Sequence, residues 1–206
     1  MPASQLPPLF LSLARKTDHW FARADAALLS QIPCRAGCAH CCIGPFPITL
    51  LDVHLIREGL IQLPPDKRER IEHRARAQTA AMESAFPRLS RSPHLDHWSD
   101  QEIDRLVTEF HQSPCPALEE GLCSIYDFRP LTCRSMGIPA EQNGLTHGAC
   151  DVQVFVPIVR LSVAQRAEED ALARKEGRIL DQYRATTGAK GEEVVLPYGF
   201  IASELP

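Results

Sequence analysis

Eight cysteines carry the chemistry this sequence can do, and they fall into two groups: Cys34, Cys38, Cys41 and Cys42 within nine residues, then Cys115, Cys123, Cys133 and Cys150. No cysteine lies outside these groups. Thiols that serve only as small core residues scatter along helices. Thiols gathered at short spacing aim several sulfur atoms at one point, which a tetrahedral ion or an iron–sulfur cluster requires. An even count also permits disulfides, but those belong to oxidising compartments. The apolar run Leu6 to Leu11 precedes the basic residues Arg15 and Lys16, the reverse of the order in a secretory signal. The expectation is thiolate ligation of metal in a reducing compartment, the cytoplasm.

The adjacent pair Cys41–Cys42 adds a constraint. Neighbouring side chains diverge by about 100° on a helix and about 180° on a strand, so they seldom chelate one ion. Two nearby centres would use both, and so would one cluster with a second, reactive thiol. The later group is spaced too widely for a single turn and would supply ligands from a long loop folded over the first group. All eight cysteines are candidate ligands.

The string Cys34-x3-Cys38-x2-Cys41-Cys42, followed by Cys115-Pro116-Ala117-Leu118, by Gly121-x-Cys123-x-Ile125-Tyr126-x2-Arg129-Pro130-x2-Cys133-Arg134 and by Cys150, resembles the CxxCxxCC family, also called YkgJ-type cysteine-cluster proteins. The resemblance runs from about Pro33 to Cys150. It implies a zinc- or iron-chelating domain, often labelled an iron–sulfur oxidoreductase, and leaves the reaction unspecified. Flagellin lysine methylases carry a similar signature. The first spacing is x3 here and x2 in the family name, a change to loop geometry more than to ligation.

Four thiolates on a divalent ion leave a net charge of about −2. Arg35, Arg129 and Arg134 flank the cysteines and are candidates to hold the cofactor by offsetting that charge. Backbone N–H groups in the Gly-rich turns could donate to sulfur. Tyr126 and Phe128 either keep water from the site or pack in the core. His40 is either a ligand or an exposed loop residue. His94, His97, His111 and His147 lack metal-ligand spacing. Asp52, three residues after Thr49, reads as a helix cap.

The elements that must position these residues are mostly helical. The chain has 206 residues, 44% hydrophobic and 23% charged, with a net charge of −4, the balance of an ordinary globular protein and not of a basic nucleic-acid binder. No apolar run reaches the eighteen residues a membrane span needs. Apolar spacing predicts helices over about 9–29, 49–58, 99–110 and 161–183, and Pro64-Pro65-Asp66 opens a further helix that runs to about Ala85 and is stopped by Pro87. The 49–58 helix should stop at Gly59, and Ser99 with Glu102 makes a capping box for the 99–110 helix. The Arg- and Glu-rich face of the 66–85 helix reads as solvated. Residues 152–159 form a short strand or lead into a helix, and the tail from Val194 reads as irregular. Proline and glycine fill 33–47 and 114–150, so the cysteines sit on loops. The expected fold class is mainly α, with helices packed around irregular Cys-rich metal-binding loops in a single domain, 1–206.

Three functions compete. The first is an iron–sulfur protein, with a [4Fe–4S] cluster, in electron transfer or an oxidoreductase, working with a redox partner protein. The second is a zinc-stabilised binding module without catalysis. The third is a radical-SAM-like enzyme, since Cys34-x3-Cys38-x2-Cys41 matches that spacing. The chain lacks the alternating strands and helices of that third class and leaves five cysteines unused. No Gly-rich nucleotide loop, Ser–His–Asp set or paired carboxylate site is present. The spacings and the resemblance favour iron–sulfur over zinc.

Overall fold

The computed structural model describes residues 8–27, 37–138, 140–142, 145–147 and 161–201. Cys34, Arg35, Cys150 and the segment 152–159 lie outside the described residues. In chain order the elements are α1 (Pro8–Ala27), β1 (Pro47–Thr49), α2 (Leu50–Ile61), α3 (Pro65–Ala85), α4 (Asp100–Glu109), β2 (Leu118–Glu119), β3 (Leu122–Cys123), α5 (Leu131–Ser135), β4 (Ala140–Gln142), β5 (Leu145–His147), α6 (Val163–Thr187) and β6 (Glu193–Val195). The fold is mainly α, as expected. Among the described residues the strands form three two-stranded antiparallel ribbons, β1–β6, β2–β3 and β4–β5. No helix among the described residues is long and apolar enough to cross a membrane.

The chain divides into two compact units, one of residues up to Cys41 with Leu131–Tyr183, the other of Cys42–Pro130 with the residues from Arg184. In the first, α1 buries Phe10, Leu13, Ala14, Thr17, Trp20 and Ala24, a stripe at helical spacing. Trp20 and Ala24 pack with Ile138 and Leu161, flanked by Phe21 and Leu172. The Trp20 indole N–H donates to the Gln165 carbonyl at 3.1 Å. Helix α6 opens on a capping box between Ser162 and Gln165 and runs past the expected end to Thr187, where Gly188 turns the chain with φ +69.

The second unit is built around α2. Thr49 and Asp52 cap its start reciprocally, as expected, and nine of its residues from Leu50 to Leu60 are buried. A helix buried nearly all round is a core helix. Its His54 is buried, and burial, helped by Arg57, pushes the imidazole down to about 4, so it sits neutral in the core. The helix does not stop at Gly59; it continues to Ile61. A Cβ on Gly59 would stand 2.8 Å from the Phe128 Cβ and 3.0 Å from the Ile125 Cβ, so this glycine makes room for a packed turn instead of ending a helix.

Helix α3 starts on Pro65, a residue preset for the first helical position, and buries Ile71, Ala75, Thr79 and Met82. Helix α4 has the expected Ser99–Glu102 capping box and buries Leu106. The tail departs from expectation. Glu193–Val195 pairs with β1, placing Val194 opposite Ile48. The following 3₁₀ turn, Leu196–Phe200, is buried at all five residues and packs on α2 and α3. Its Tyr198 hydroxyl donates to the Glu83 carboxylate at 2.9 Å.

Candidate metal centre

The cysteines sit on loops and short turns, as their Gly and Pro neighbours predict. In the second unit two of these segments are stitched together by backbone bonds. The Cys115 N–H donates to the Cys42 carbonyl at 2.7 Å, Ile43 bridges Pro114, and the Gly44 N–H donates to the Ser113 carbonyl at 2.8 Å. Gly44 has φ +90, and a Cβ there would meet the His111 carbonyl oxygen at 3.2 Å. Only glycine takes that backbone without cost, and it lets the Cys42 segment lie against the Cys115 segment. The chain then returns through a tight hairpin. Glu120 and Gly121 both have positive φ, +51 and +78, the two-residue turn whose twist suits paired strands. The hairpin brings Cys123 opposite Leu118, whose N–H is bonded to the Cys115 carbonyl at 2.9 Å. Cys42, Cys115 and Cys123 therefore belong to one stitched loop system.

Helix α3 holds that system in place. Arg74 donates twice to the Pro116 carbonyl, at 2.9 and 2.7 Å, and once to Glu119 at 3.1 Å. Gln78 donates to the Pro114 carbonyl at 2.7 Å. Lys67 lies 3.3 Å and Arg70 3.7 Å from the same Glu119 carboxylate, and the Ser124 hydroxyl donates to it at 3.0 Å. Burial pushes the Glu119 carboxyl up, but the bonds from Arg74, Ser124 and Lys67 and the Arg74 charge outweigh it and hold the group at about 2. The expectation of a merely solvated face is thus corrected for Lys67 and Arg74, whereas Arg70 is 54% exposed and pairs with Asp66 at 2.8 Å on the helix surface. The expectation holds for Arg68, Glu72 and Arg76, which pair along the exposed helix surface. The missed signal was spacing: residues 67, 74 and 78 are long polar side chains at i, i+7 and i+11, one stripe of the helix.

In the first unit, Cys38 precedes the 3₁₀ turn His40–Cys42, which carries Cys41, and Cys133 sits on α5. All six described cysteines are half-buried. His40 is exposed on its turn. Arg134, beside Cys133, is 4% exposed and forms an ion pair with Asp18 of α1. Arg129 lies over the Tyr126 ring, 3.9 Å from its centre, and donates to the Tyr126 carbonyl at 3.2 Å. Tyr126 is 61% exposed, so its ring does not wall off water, whereas Phe128 packs against Gly59 of α2.

The donor set suits a thiophilic ion in kind, since every signature donor is sulfur and each described one is partly shielded from water. Among the described residues no three His, Cys, Asp or Glu side chains stand as a group that could hold an ion. Cys34 and Cys150, two of the eight signature thiols, lie outside the described residues.

The model of the CxxCxxCC family, described as a "Putative zinc- or iron-chelating domain", matches residues 33–151, more than half of the chain. The chain belongs to the CxxCxxCC family. No curated protein and no solved structure matches it. The family match takes in both cysteine groups and residues of both compact units. Metal binding through the cysteine cluster follows from CxxCxxCC membership.

Proposed function

We propose that this CxxCxxCC protein is an iron–sulfur protein of the cytoplasm that exchanges electrons with a redox partner protein, alone or as part of an oxidoreductase. Cys34, Cys38, Cys41, Cys42, Cys115, Cys123, Cys133 and Cys150 supply the ligands, and Arg35, Arg129 and Arg134 offset the charge of the thiolates. The observation that carries this reading is the all-thiol donor set, half-buried at each described cysteine, with the neighbouring His40 turned out to solvent. Iron–sulfur clusters take thiolates as their usual ligands, and their potential follows from solvent exposure and hydrogen bonds to sulfur. Half-buried sulfur keeps most water away yet leaves a short path to a docked partner. Ile43, next to Cys42, and Leu122, next to Cys123, are large apolar side chains 44% and 61% exposed. They offer a partner an apolar rim beside the thiols.

One observation favours zinc: Cys38-x2-Cys41 has the spacing of a zinc knuckle. On that reading the protein is a binding module held in shape by the ion. Anaerobic purification with iron, zinc and acid-labile sulfide analysis decides between them. The iron–sulfur reading expects a coloured protein with iron and sulfide in similar amounts. A colourless protein with stoichiometric zinc and no sulfide establishes the zinc module instead. A metal-free chain that folds fully after anaerobic reconstitution trials overturns both.

A further inference from the structure

Cys42 and Cys115 lie opposite each other in the stitched loops of the second unit. The bridge between Ile43 and Pro114 is antiparallel, so its register sets Cys42 against Cys115 and Gly44 against Ser113. The two flanking bonds agree: the Cys115 N–H donates to the Cys42 carbonyl at 2.7 Å and the Gly44 N–H to the Ser113 carbonyl at 2.8 Å. Pro114 pins this register. It has no N–H, and the non-hydrogen-bonded position it occupies asks for none. Its carbonyl accepts from Gln78 of α3 instead, at 2.7 Å. A slip of one residue would put proline where the ladder needs a donor.

Residues directly opposite on antiparallel strands carry their side chains on one face, with Cα atoms about 5.5 Å apart at a hydrogen-bonded pair. A disulfide spans Cα separations of about 4.4–6.8 Å, so this pair is within reach of one. Its Cβ atoms must close to about 3.5–4.5 Å from the ~4.5–5.5 Å of an open cross-strand pair, which strains the bond. Strained disulfides are the readily reduced ones, so closure here is reversible. Both cysteines are half-buried, while Ile43 and Pro114, on the other face of the ladder, are exposed. Cys123 of the same loop system faces Leu118 across its hairpin, not another thiol.

We propose that Cys42 and Cys115 are a redox pair that closes to a disulfide when the chain carries no metal and meets a peroxide. One sulfur attacks the peroxide, breaks its O–O bond and becomes a sulfenic acid as the first water leaves. The second sulfur displaces the sulfenic oxygen as the second water. Two thiols are oxidised and one hydrogen peroxide is reduced, giving one disulfide and two waters. Transient, redox-sensing disulfides are the kind a reducing compartment allows. The pair needs only its own thiols, so the inference is independent of the metal reading, and metal content is measured separately on the chain as purified.

The test uses the full-length chain, stripped of metal anaerobically, fully reduced and treated with one equivalent of hydrogen peroxide. Mass-spectrometric sequencing of non-reduced peptides is expected to find the first disulfide between Cys42 and Cys115. Two of the eight thiols should be lost and both regained with a dithiol reductant. Amide exchange over 38–44 and 113–125 should be slower in the oxidised chain than in the reduced metal-free chain. An unfolded chain closes its shortest loops first, such as Cys38 with Cys41, so a bond between Cys42 and Cys115 reports the folded register. A first disulfide at any other pair, no intramolecular disulfide, or a bond that a dithiol does not reopen overturns the proposal.

Discussion

Glu119 gathers Arg74, Lys67, Arg70 and Ser124 around one carboxylate, while Arg74 also grips the Pro116 carbonyl beside Cys115. The side chain is 20% exposed, so its ion pairs are partly shielded from the screening that makes most surface pairs worth little. The folded carboxyl sits at about 2, below its unfolded value. Its contribution is therefore complete above the ordinary carboxylate range of about 4.3 and is lost as the pH falls toward 2. Glu119→Gln is expected to cost about 1 kcal/mol at pH 7 and to remove part of the stability loss between pH 5 and about pH 2. Denaturant unfolding of both chains at the two pH values, with a chelator present so that metal release does not contribute, measures this. Equal acid losses would show that the clamp contributes nothing. Arg74→Met should also loosen the hairpin carrying Cys123, seen as faster amide exchange at 116–124 with α3 itself unchanged.

At the scale of elements, Gly59 decides how the turn Tyr126–Phe128 reaches α2. Alanine would raise intrinsic helix propensity by about 1 kcal/mol. Its Cβ would also fall 2.8 Å from the Phe128 Cβ, closer than carbon atoms tolerate. The clash is with the root of a side chain, which moves only if the backbone moves. Overpacking of this kind costs about 1–3 kcal/mol, so Gly59→Ala is expected to lower stability on balance and to displace the segment leading to Cys133. A raised melting temperature would show that the turn yields freely.

The same glycine shows why some ends were legible and others not. Thr49 with Asp52, Ser99 with Glu102, and Pro65 act through chemistry within four residues, and the helices begin where they predict. Gly59 looks like a stop until its partners, about seventy residues later, are known. Val194 looks like irregular tail until Ile48 pairs with it. At the site, the cysteine spacing pointed to the family, whereas the Arg74 grip depends on a helix and a loop 42 residues apart meeting in space.

For the whole molecule the question is what the metal holds up. Each unit has an apolar core of its own: Trp20, Ala24, Ile138 and Leu161 in the first, and Ile48, Leu51, Leu55, Ile56, Met82 and Phe200 among those in the second. Among the described residues, the cysteine-bearing loops 38–44 and 113–125 bury, proline aside, only Ala117 and Ile125 of their large or small hydrophobic side chains. Small zinc fingers unfold without their ion because they have no such core. Here the loops, not the helices, should depend on metal. Hydrogen exchange before and after anaerobic chelation is expected to show faster exchange over 38–44 and 113–125, including the Cys115 N–H now bonded to Cys42, while the interiors of α2 and α3 keep their protection. If chelation released α2 and α3 as well, the apolar core would be insufficient and the metal would be a folding requirement. If nothing changed in a chain shown to have carried metal, that metal would be held elsewhere than by these loops.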